Sequence, residues 1–262
     1  MALVKSRAIS LKTYRLGETS NVVVCYTRDY GKVRLVAKGA RKGGGRLGAA
    51  LEPMVVSGVV FYLRQGRDLS LVSQAEVERQ WPEFRRDVVR MAYAGAAVEL
   101  TDALVSECEA DPGLFDLLES TLNEAATAPQ KSLDAVLWSF ELSLMSALGY
   151  SPELGCCVVC GGPPSGIVSF AARRGGIVCS NCLADEPGAR GLSDAGAAIL
   201  AELPGGLYVD PPTAVRDEVG EALMEFIEEH AGRRLDLKSL RFLAQIRRTE
   251  HSPAEPEREH DG

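Results

Sequence analysis

The sequence offers few residues with which an enzyme could work. Only three histidines occur among 262 residues. There is no nucleophile elbow, no His-Glu-x-x-His motif, no paired-aspartate metal site and no dinucleotide fingerprint. The glycine-rich segment Gly39–Arg46 lacks the Gly-Lys-Ser/Thr ending of a phosphate-binding loop. These absences argue against catalysis, so we expect a binding protein rather than an enzyme.

Long apolar runs are also absent. No run of about 18 apolar residues occurs, so no segment is expected to span a membrane. No signal peptide is recognisable at the start, which predicts a reducing, cytoplasmic compartment in which stable disulfides are not expected.

Charge is divided unevenly along the chain. Residues 1–80 hold 14 Lys and Arg against 6 Asp and Glu, whereas the remaining residues hold 15 against 30. The net charge of −7 conceals this asymmetry. It predicts a basic module that meets a polyanion and an acidic body that does not.

Five short strands are predicted in the first 80 residues, because β-branched or alternating segments are separated there by turn residues. They cover Arg7–Thr13, Val22–Thr27, Lys32–Lys38, Val55–Leu63 and Ser70–Val77. Five strands of this length predict a small barrel. The leading candidate is the five-stranded OB fold, whose surface commonly binds oligonucleotides.

After Trp81-Pro82 the apolar period becomes helical. Helices are predicted over Phe84–Glu107, from caps at Asp111, Ser132 and Ser193, and over Thr213–Ala231 and Leu237–Arg247. The predicted fold is therefore α+β and multidomain. An OB-fold barrel (1–80) precedes an all-helical domain (81–248) with an inserted module at about 154–186, and the charge-rich tail 249–262 is expected to be disordered.

Two Cys-x-x-Cys pairs define the inserted module. Cys157 and Cys160 form the first pair, Cys179 and Cys182 form the second, and 18 residues separate them. This spacing is typical of a four-cysteine zinc site, closed to substrate and therefore structural. Two redox motifs or disulfides are the alternative interpretation. Cys156 can compete for the metal, but the two-residue spacing favours Cys157.

Three segments together resemble the RecO family of bacterial recombination mediators. They are YGKVRLVAKGARK at Tyr30–Lys42, LGCCVVCG at Leu154–Gly161 and RRLDLKSLRFL at Arg233–Leu243. They occur in the family's order over nearly the whole chain, although not every member keeps the four cysteines.

The resemblance implies a role in DNA repair, recombination and the DNA damage response. It implies binding to single- and double-stranded DNA, annealing of complementary strands, and displacement of single-stranded-DNA-binding protein (SSB) so that RecA can load. The implied partners are RecR and the acidic tail of SSB, and the implied location is the nucleoid.

The candidate DNA-binding residues are basic residues of the barrel that would contact phosphates without reading sequence. They are Arg34, Lys38, Arg41, Lys42 and Arg46, with Lys5 and Arg7 as weaker candidates. Five aromatic residues can either stack on bases or fill the barrel core, and the core is favoured: Tyr14, Tyr26, Tyr30, Phe61 and Tyr62.

A second candidate surface is predicted at the start of the last helix. At helical spacing Arg234, Lys238 and Arg241 would share one face beside Leu237, where they would meet carboxylates of the SSB tail. A solvated basic face is the alternative. For the whole chain, the competing functions are a zinc-ribbon adaptor with an RNA- or protein-binding barrel, and a nuclease, against which the missing acidic metal site argues.

Overall fold

The first five strands close into a barrel. The structure, a computed structural model, describes residues 2–41, 46–63, 68–203 and 210–251. The strands are β1 (Ala2–Leu16), β2 (Ser20–Thr27), β3 (Gly31–Ala37), β4 (Val56–Leu63) and β5 (Ser70–Arg79), and their order in the barrel is β1-β2-β3-β5-β4. β4 pairs with β1 to complete the ring, and only the β3–β5 pairing is parallel. The predicted five-stranded barrel is confirmed.

The barrel buries residues on both of its faces. Its interior contains Val23, Leu35 and Phe61. On the outer face, Ile9 and Tyr26 belong to the same apolar cluster as the helices. The barrel therefore shares a continuous core with the helical region, because alternate residues of β1 and β2 face opposite sides.

Eight α-helices occur within the described part of the chain. The barrel contains the short helix α1 (Arg46–Ala50), which interrupts the predicted glycine-rich loop. The others are α2 (Glu83–Arg86), α3 (Val88–Leu104), α4 (Pro112–Thr127), α5 (Leu133–Ala147), α6 (Asp194–Glu202), α7 (Thr213–Ala231) and α8 (Lys238–His251). None of the helices that the structure describes is long and apolar enough to cross a bilayer.

The helix caps follow the sequence at two of three predicted positions. The Asp111 side chain accepts hydrogen bonds from the backbone of Gly113 and Leu114, and Ser193 caps α6. Ser132 makes no capping hydrogen bond, since a 3-10 turn leads directly into α5. The helix predicted over Phe84–Glu107 is divided at Asp87, an extended residue whose carboxylate caps α3.

The last two helices are separated by a short non-helical segment. Gly232, in the left-handed conformation, ends α7, and α8 begins only at Lys238. α8 continues to residue 251, so the first three residues of the predicted tail are helical. Residues 252–262 lie outside the described part of the chain.

A small three-stranded sheet lies between α5 and α6. It consists of β6 (Val168–Ala171), β7 (Gly176–Val178) and β8 (Arg190–Leu192), in the order β7-β6-β8. β6 pairs antiparallel with both β7 and β8. β8, a run of only three residues with the sequence Arg-Gly-Leu, is too short a pattern to be recognised as a strand from the sequence.

Candidate metal centre and candidate nucleic-acid surface

The two Cys-x-x-Cys pairs converge on one point. The sulfur atoms of Cys157, Cys160, Cys179 and Cys182 all lie within 4.8 Å of one another, and the Cys160 and Cys179 sulfurs are 3.9 Å apart. A tetrahedral zinc ion with bonds of about 2.3 Å would place its sulfur ligands roughly 3.8 Å apart. The cluster therefore has the size and the donor chemistry of a four-thiolate metal site.

Backbone hydrogen bonds shape both knuckles. The Gly161 N–H donates to the Cys157 carbonyl at 2.8 Å, and Gly161 has a φ of 70°, which glycine adopts without strain. In the second knuckle, the Cys182 N–H donates to the Cys179 carbonyl at 3.0 Å. The Val158 N–H donates to Ile177 in β7 and thereby anchors the first knuckle to the small sheet.

The environment of the thiols favours a cation among them. Backbone N–H groups, first that of Cys160 and then that of Cys179, lower the pKa of the Cys157 thiol to about 6. The hydrogen bond with Cys179, followed by burial, raises the pKa of Cys182 to about 12. Four thiols this close cannot all ionise by themselves, whereas a bound divalent metal stabilises all four thiolates.

Cys156 lies outside this cluster. Its thiol is beside Glu153, and burial followed by the Glu153 carboxylate raises its pKa. The structure thus brings together the four cysteines predicted from the spacing and separates the competing fifth.

The basic residues predicted to contact DNA fall in three different places. Arg7 and Arg34 are paired with carboxylates, in part from the helical region. Lys38 and Arg41 lie at one end of the barrel. Lys5 and Arg46 share a cleft on its side, and Lys42 lies outside the described residues.

Ion pairs at the boundary between barrel and helices hold the first group. Arg7 donates two hydrogen bonds of 2.9 Å to Glu119 in α4 and one of 2.8 Å to Glu78. Arg34 Nη2 lies 2.6 Å from Glu107 Oε1, and Lys32 Nζ lies 3.9 Å from Asp102 Oδ1. Part of the positive charge of the barrel therefore faces the acidic helical region.

The end of the barrel carries exposed cations, which we call the rim cluster: Arg15, Lys38 and Arg41. The Arg41 backbone N–H donates to Thr19 and its guanidinium to Gly17, so the segment after β3 lies against the β1–β2 turn. Arg15 joins them because it is in register with Asn21, which pairs with Ala37 next to Lys38. Arg15 was not among the predicted residues, because the first predicted strand ended at Thr13.

The cleft on the side of the barrel has mixed charge. It has a volume of about 970 Å³ and is lined by Lys5 and Arg46 together with Glu76 and Glu78. Because the carboxylates line the same cleft, they weaken the attraction of Lys5 and Arg46 for phosphate.

Among the five aromatic candidates of the barrel, Tyr14 is exposed, whereas Tyr30 and Tyr62 are half-buried. Tyr14 is 47% exposed on the outer face, and Lys12 Nζ lies 5.0 Å from the centre of its ring. Tyr26 and Phe61 are completely buried, so they fill the core as favoured. Tyr30 packs edge-on against Phe61, with the ring centres 5.7 Å apart.

The basic face predicted on the last helix has a different geometry. Arg234 precedes α8, because the segment that leads into the helix is not helical. Leu237 is only 6% exposed and belongs to the helical core. Lys238 and Arg241 are exposed on α8, next to Phe242 with 38% exposure, and Arg241 lies 3.0 Å from Asp236. The helical face with Arg234 and Leu237 was therefore wrongly predicted.

Comparison with known families matches both parts of the chain. The family model described as "Recombination protein O N terminal" matches residues 1–81, and the one described as "Recombination protein O C terminal" matches residues 85–241. The "DNA repair protein RecO" of Bacillus pumilus (strain SAFR-032) is 32% identical over 252 residues, covering 93% of this chain and 94% of the relative.

Other relatives are similar over the same extent. The protein of that name from Anaeromyxobacter dehalogenans (strain 2CP-C) is 37% identical, covering 94% of this chain and 98% of the relative. The one from Symbiobacterium thermophilum is 34% identical, covering 94% and 99%. The resemblance drawn from the three sequence segments is confirmed.

Proposed function

This chain belongs to the RecO family of DNA repair proteins, and from that premise we propose that it acts in DNA repair as a recombination mediator. It binds single- and double-stranded DNA, anneals complementary strands and helps to load RecA onto SSB-coated DNA, together with RecR. It performs no catalytic step and works in the cytoplasm at the nucleoid. One structural zinc ion per chain stabilises the cysteine module.

The rim cluster carries this proposal. Lys38 and Arg41 project from the barrel end without a carboxylate partner among the described ion pairs, unlike Arg7 and Arg34. Exposed cations without partners neutralise phosphates at little cost, whereas paired ones must first release a carboxylate. The rim cluster is therefore the main phosphate surface, and Lys5 and Arg46 add to it from the side.

Tyr14 supplies the contact with bases. Tyr14 lies on the outer face of the barrel, and Val22 and Val36 are its neighbours across the next two strands. On the same face, the adjacent line of residues across the strands includes Lys12 and Arg34. An exposed ring flanked by cations suits a base that stacks on it while its phosphate is neutralised. This arrangement tolerates any sequence, as annealing requires.

The annealing step follows from charge neutralisation. Two complementary strands repel each other, and a basic surface that holds both lowers this repulsion without nucleotide hydrolysis. Fluorescence-monitored annealing of complementary strands, without ATP or magnesium, tests the proposal. Lys38→Glu/Arg41→Glu should abolish most of the acceleration. An undiminished rate in this variant would contradict the assignment.

The SSB tail is proposed to bind on α8. Lys238 and Arg241 would meet its carboxylates, and the exposed Phe242 would contact its apolar end; Arg234 contributes only from the segment before the helix. The variant Lys238→Glu/Arg241→Glu should lose affinity for a tail peptide and annealing of SSB-coated strands. It should still anneal bare strands, which separates this site from the rim cluster. Unchanged affinity for the peptide would refute the tail site.

A further inference from the structure

A pocket lies between four helices of the C-terminal region, distant in sequence from the barrel and the cysteines. Its volume is about 220 Å³, and α3, α5, α7 and α8 each contribute to its lining. Two of its walls are aromatic, Tyr93 from α3 and Trp138 from α5. The remaining lining is a mixture of leucine side chains and charged groups.

One carboxylate oxygen in this pocket has no hydrogen-bond partner among the residues that the structure describes. Glu141 of α5 is only 3% exposed, and its Oε2 atom accepts no hydrogen bond. A buried carboxylate without a partner is costly, and such a group calls for an explanation. Because Glu141 lines the pocket, the missing partner can enter from it.

The other buried charges of the pocket form ion pairs with one another, although Arg216 Nε makes no well-aligned hydrogen bond within the described residues. Asp134 lies 2.6 Å from both Arg216 Nε and Arg247 Nη2, and it accepts a hydrogen bond of 2.7 Å from the Tyr93 hydroxyl. Both arginines are thus directed at Asp134. Around the pocket, four acidic groups face these two cations.

We infer that this pocket binds a guanidinium or ammonium group on an alkyl stem, paired with Glu141 and lying against the indole of Trp138. The cation supplies the partner that Glu141 lacks, and the ring attracts a desolvated cation through its face. The volume suits the end of an arginine or lysine side chain or of a free amine. A side chain of another protein and a small free cation would present the same charged group to the pocket.

The inference makes binding depend on pH. Burial, followed by the charge of Asp134, raises the pKa of Glu141 to about 8, so the cation should bind more tightly as Glu141 ionises. The titratable and charged groups that line the pocket with it are Tyr93 on α3, Asp134 on α5, Arg216, Asp217 and Glu221 on α7, and Arg247 on α8.

The test uses n-butylguanidinium as the probe and uncharged n-butylurea as its isostere. The chain has two tryptophans, so ¹⁵N-labelled full-length protein gives two indole signals. The Trp138 signal should shift saturably with the guanidinium, with a dissociation constant on the order of millimolar for so small a ligand. Trp81, whose indole N–H lies 3.4 Å from Asn123, should not shift.

Binding should be about tenfold or more tighter at pH 8.5 than at pH 6.5, since each pKa unit corresponds to a factor of ten. Glu141→Gln, which keeps the shape of the side chain, should abolish binding and its pH dependence. The exposed control Glu202→Gln should change neither. Equal shifts with n-butylurea, binding that is independent of pH, or undiminished binding to Glu141→Gln would each overturn the inference.

A peptide with one arginine between glycines distinguishes the two sources. A shift of Trp138 by the peptide would indicate a protein side chain as the occupant. A shift by n-butylguanidinium alone would indicate a small free cation. Both results support a cation site, whereas no shift with either ligand at pH 8.5 would refute it.

Discussion

Replacing Arg7 by alanine should destabilise the protein and leave its affinity for DNA unchanged. The Arg7 guanidinium makes a bidentate pair with Glu119 and lies 5.2 Å from the centre of the Phe115 ring. Glu119 is the more buried partner, with 14% of its side chain exposed. Without Arg7, its nearest cation is Arg79 at 3.8 Å.

The size of the effect follows from this geometry. A buried ion pair broken on one side costs about 3–5 kcal/mol, but the Arg7 side chain is 36% exposed, so solvent screens part of the loss. We therefore expect the free energy of unfolding to fall by about 2 kcal/mol. In a double-mutant cycle with Glu119→Gln, the coupling energy should be about 1 kcal/mol.

Urea denaturation at pH 7 and titration of a fluorescent oligonucleotide measure the two quantities. Lys38→Ala is the matched control, because this exposed residue should change stability by no more than about 0.5 kcal/mol while weakening DNA binding. The reasoning would be refuted if Arg7→Ala weakened DNA binding and left the free energy of unfolding unchanged. That result would indicate that Arg7 contacts DNA.

Three further predictions concern other parts of the chain. Cys157→Ser should reduce bound zinc, measured by elemental analysis, from one per chain to nearly none and lower the melting temperature. An equal loss of zinc in Cys156→Ser would indicate that Cys156 also binds the metal. Gly31→Ala should lower the free energy of unfolding in urea by about 2 kcal/mol or more, because the φ of Gly31 is +65° and a Cβ there would lie 2.2 Å from a carbonyl oxygen. Gly17→Ala, which has open space around it, should lower it by only about 1 kcal/mol. Equal losses in the two variants would contradict the predicted clash. The pKa of Glu141 is about 8 in the folded protein against an ordinary 4.5, so the folded state keeps this proton to a higher pH than the unfolded state. The free energy of unfolding should therefore fall between pH 4.5 and pH 8 by at most about 5 kcal/mol. Glu141→Gln should remove that fall, and an identical pH profile in the variant would contradict the prediction.

Local patterns in the sequence predicted the barrel and the cysteine cluster. Alternation in β3 indicates directly which residues face inward, and the spacing of Cys157 and Cys160 predicts a knuckle within four residues. Both signals lie within a single element. They can therefore be recognised without knowing what packs against that element.

Contacts between distant residues were not predictable in this way. Arg7 and Glu119 are 112 positions apart, and nothing near either residue shows that they pair. Glu141 stands within an apolar stripe of α5, where the helical period places it inside but does not reveal that it lacks a partner. Arg234 was placed on the wrong face because its spacing from Lys238 and Arg241 fits a helix, whereas α8 begins only at Lys238.

The salt dependence of DNA binding tests the central claim most directly. If the rim cluster of Arg15, Lys38 and Arg41, together with Lys5 and Arg46, neutralises one phosphate of single-stranded DNA per residue, log K should fall against log salt with a slope near −3.5, from about −0.7 per contact. Lys38→Ala/Arg41→Ala should reduce the slope to about −2. An unchanged slope in this variant would contradict the account and place the DNA on another surface.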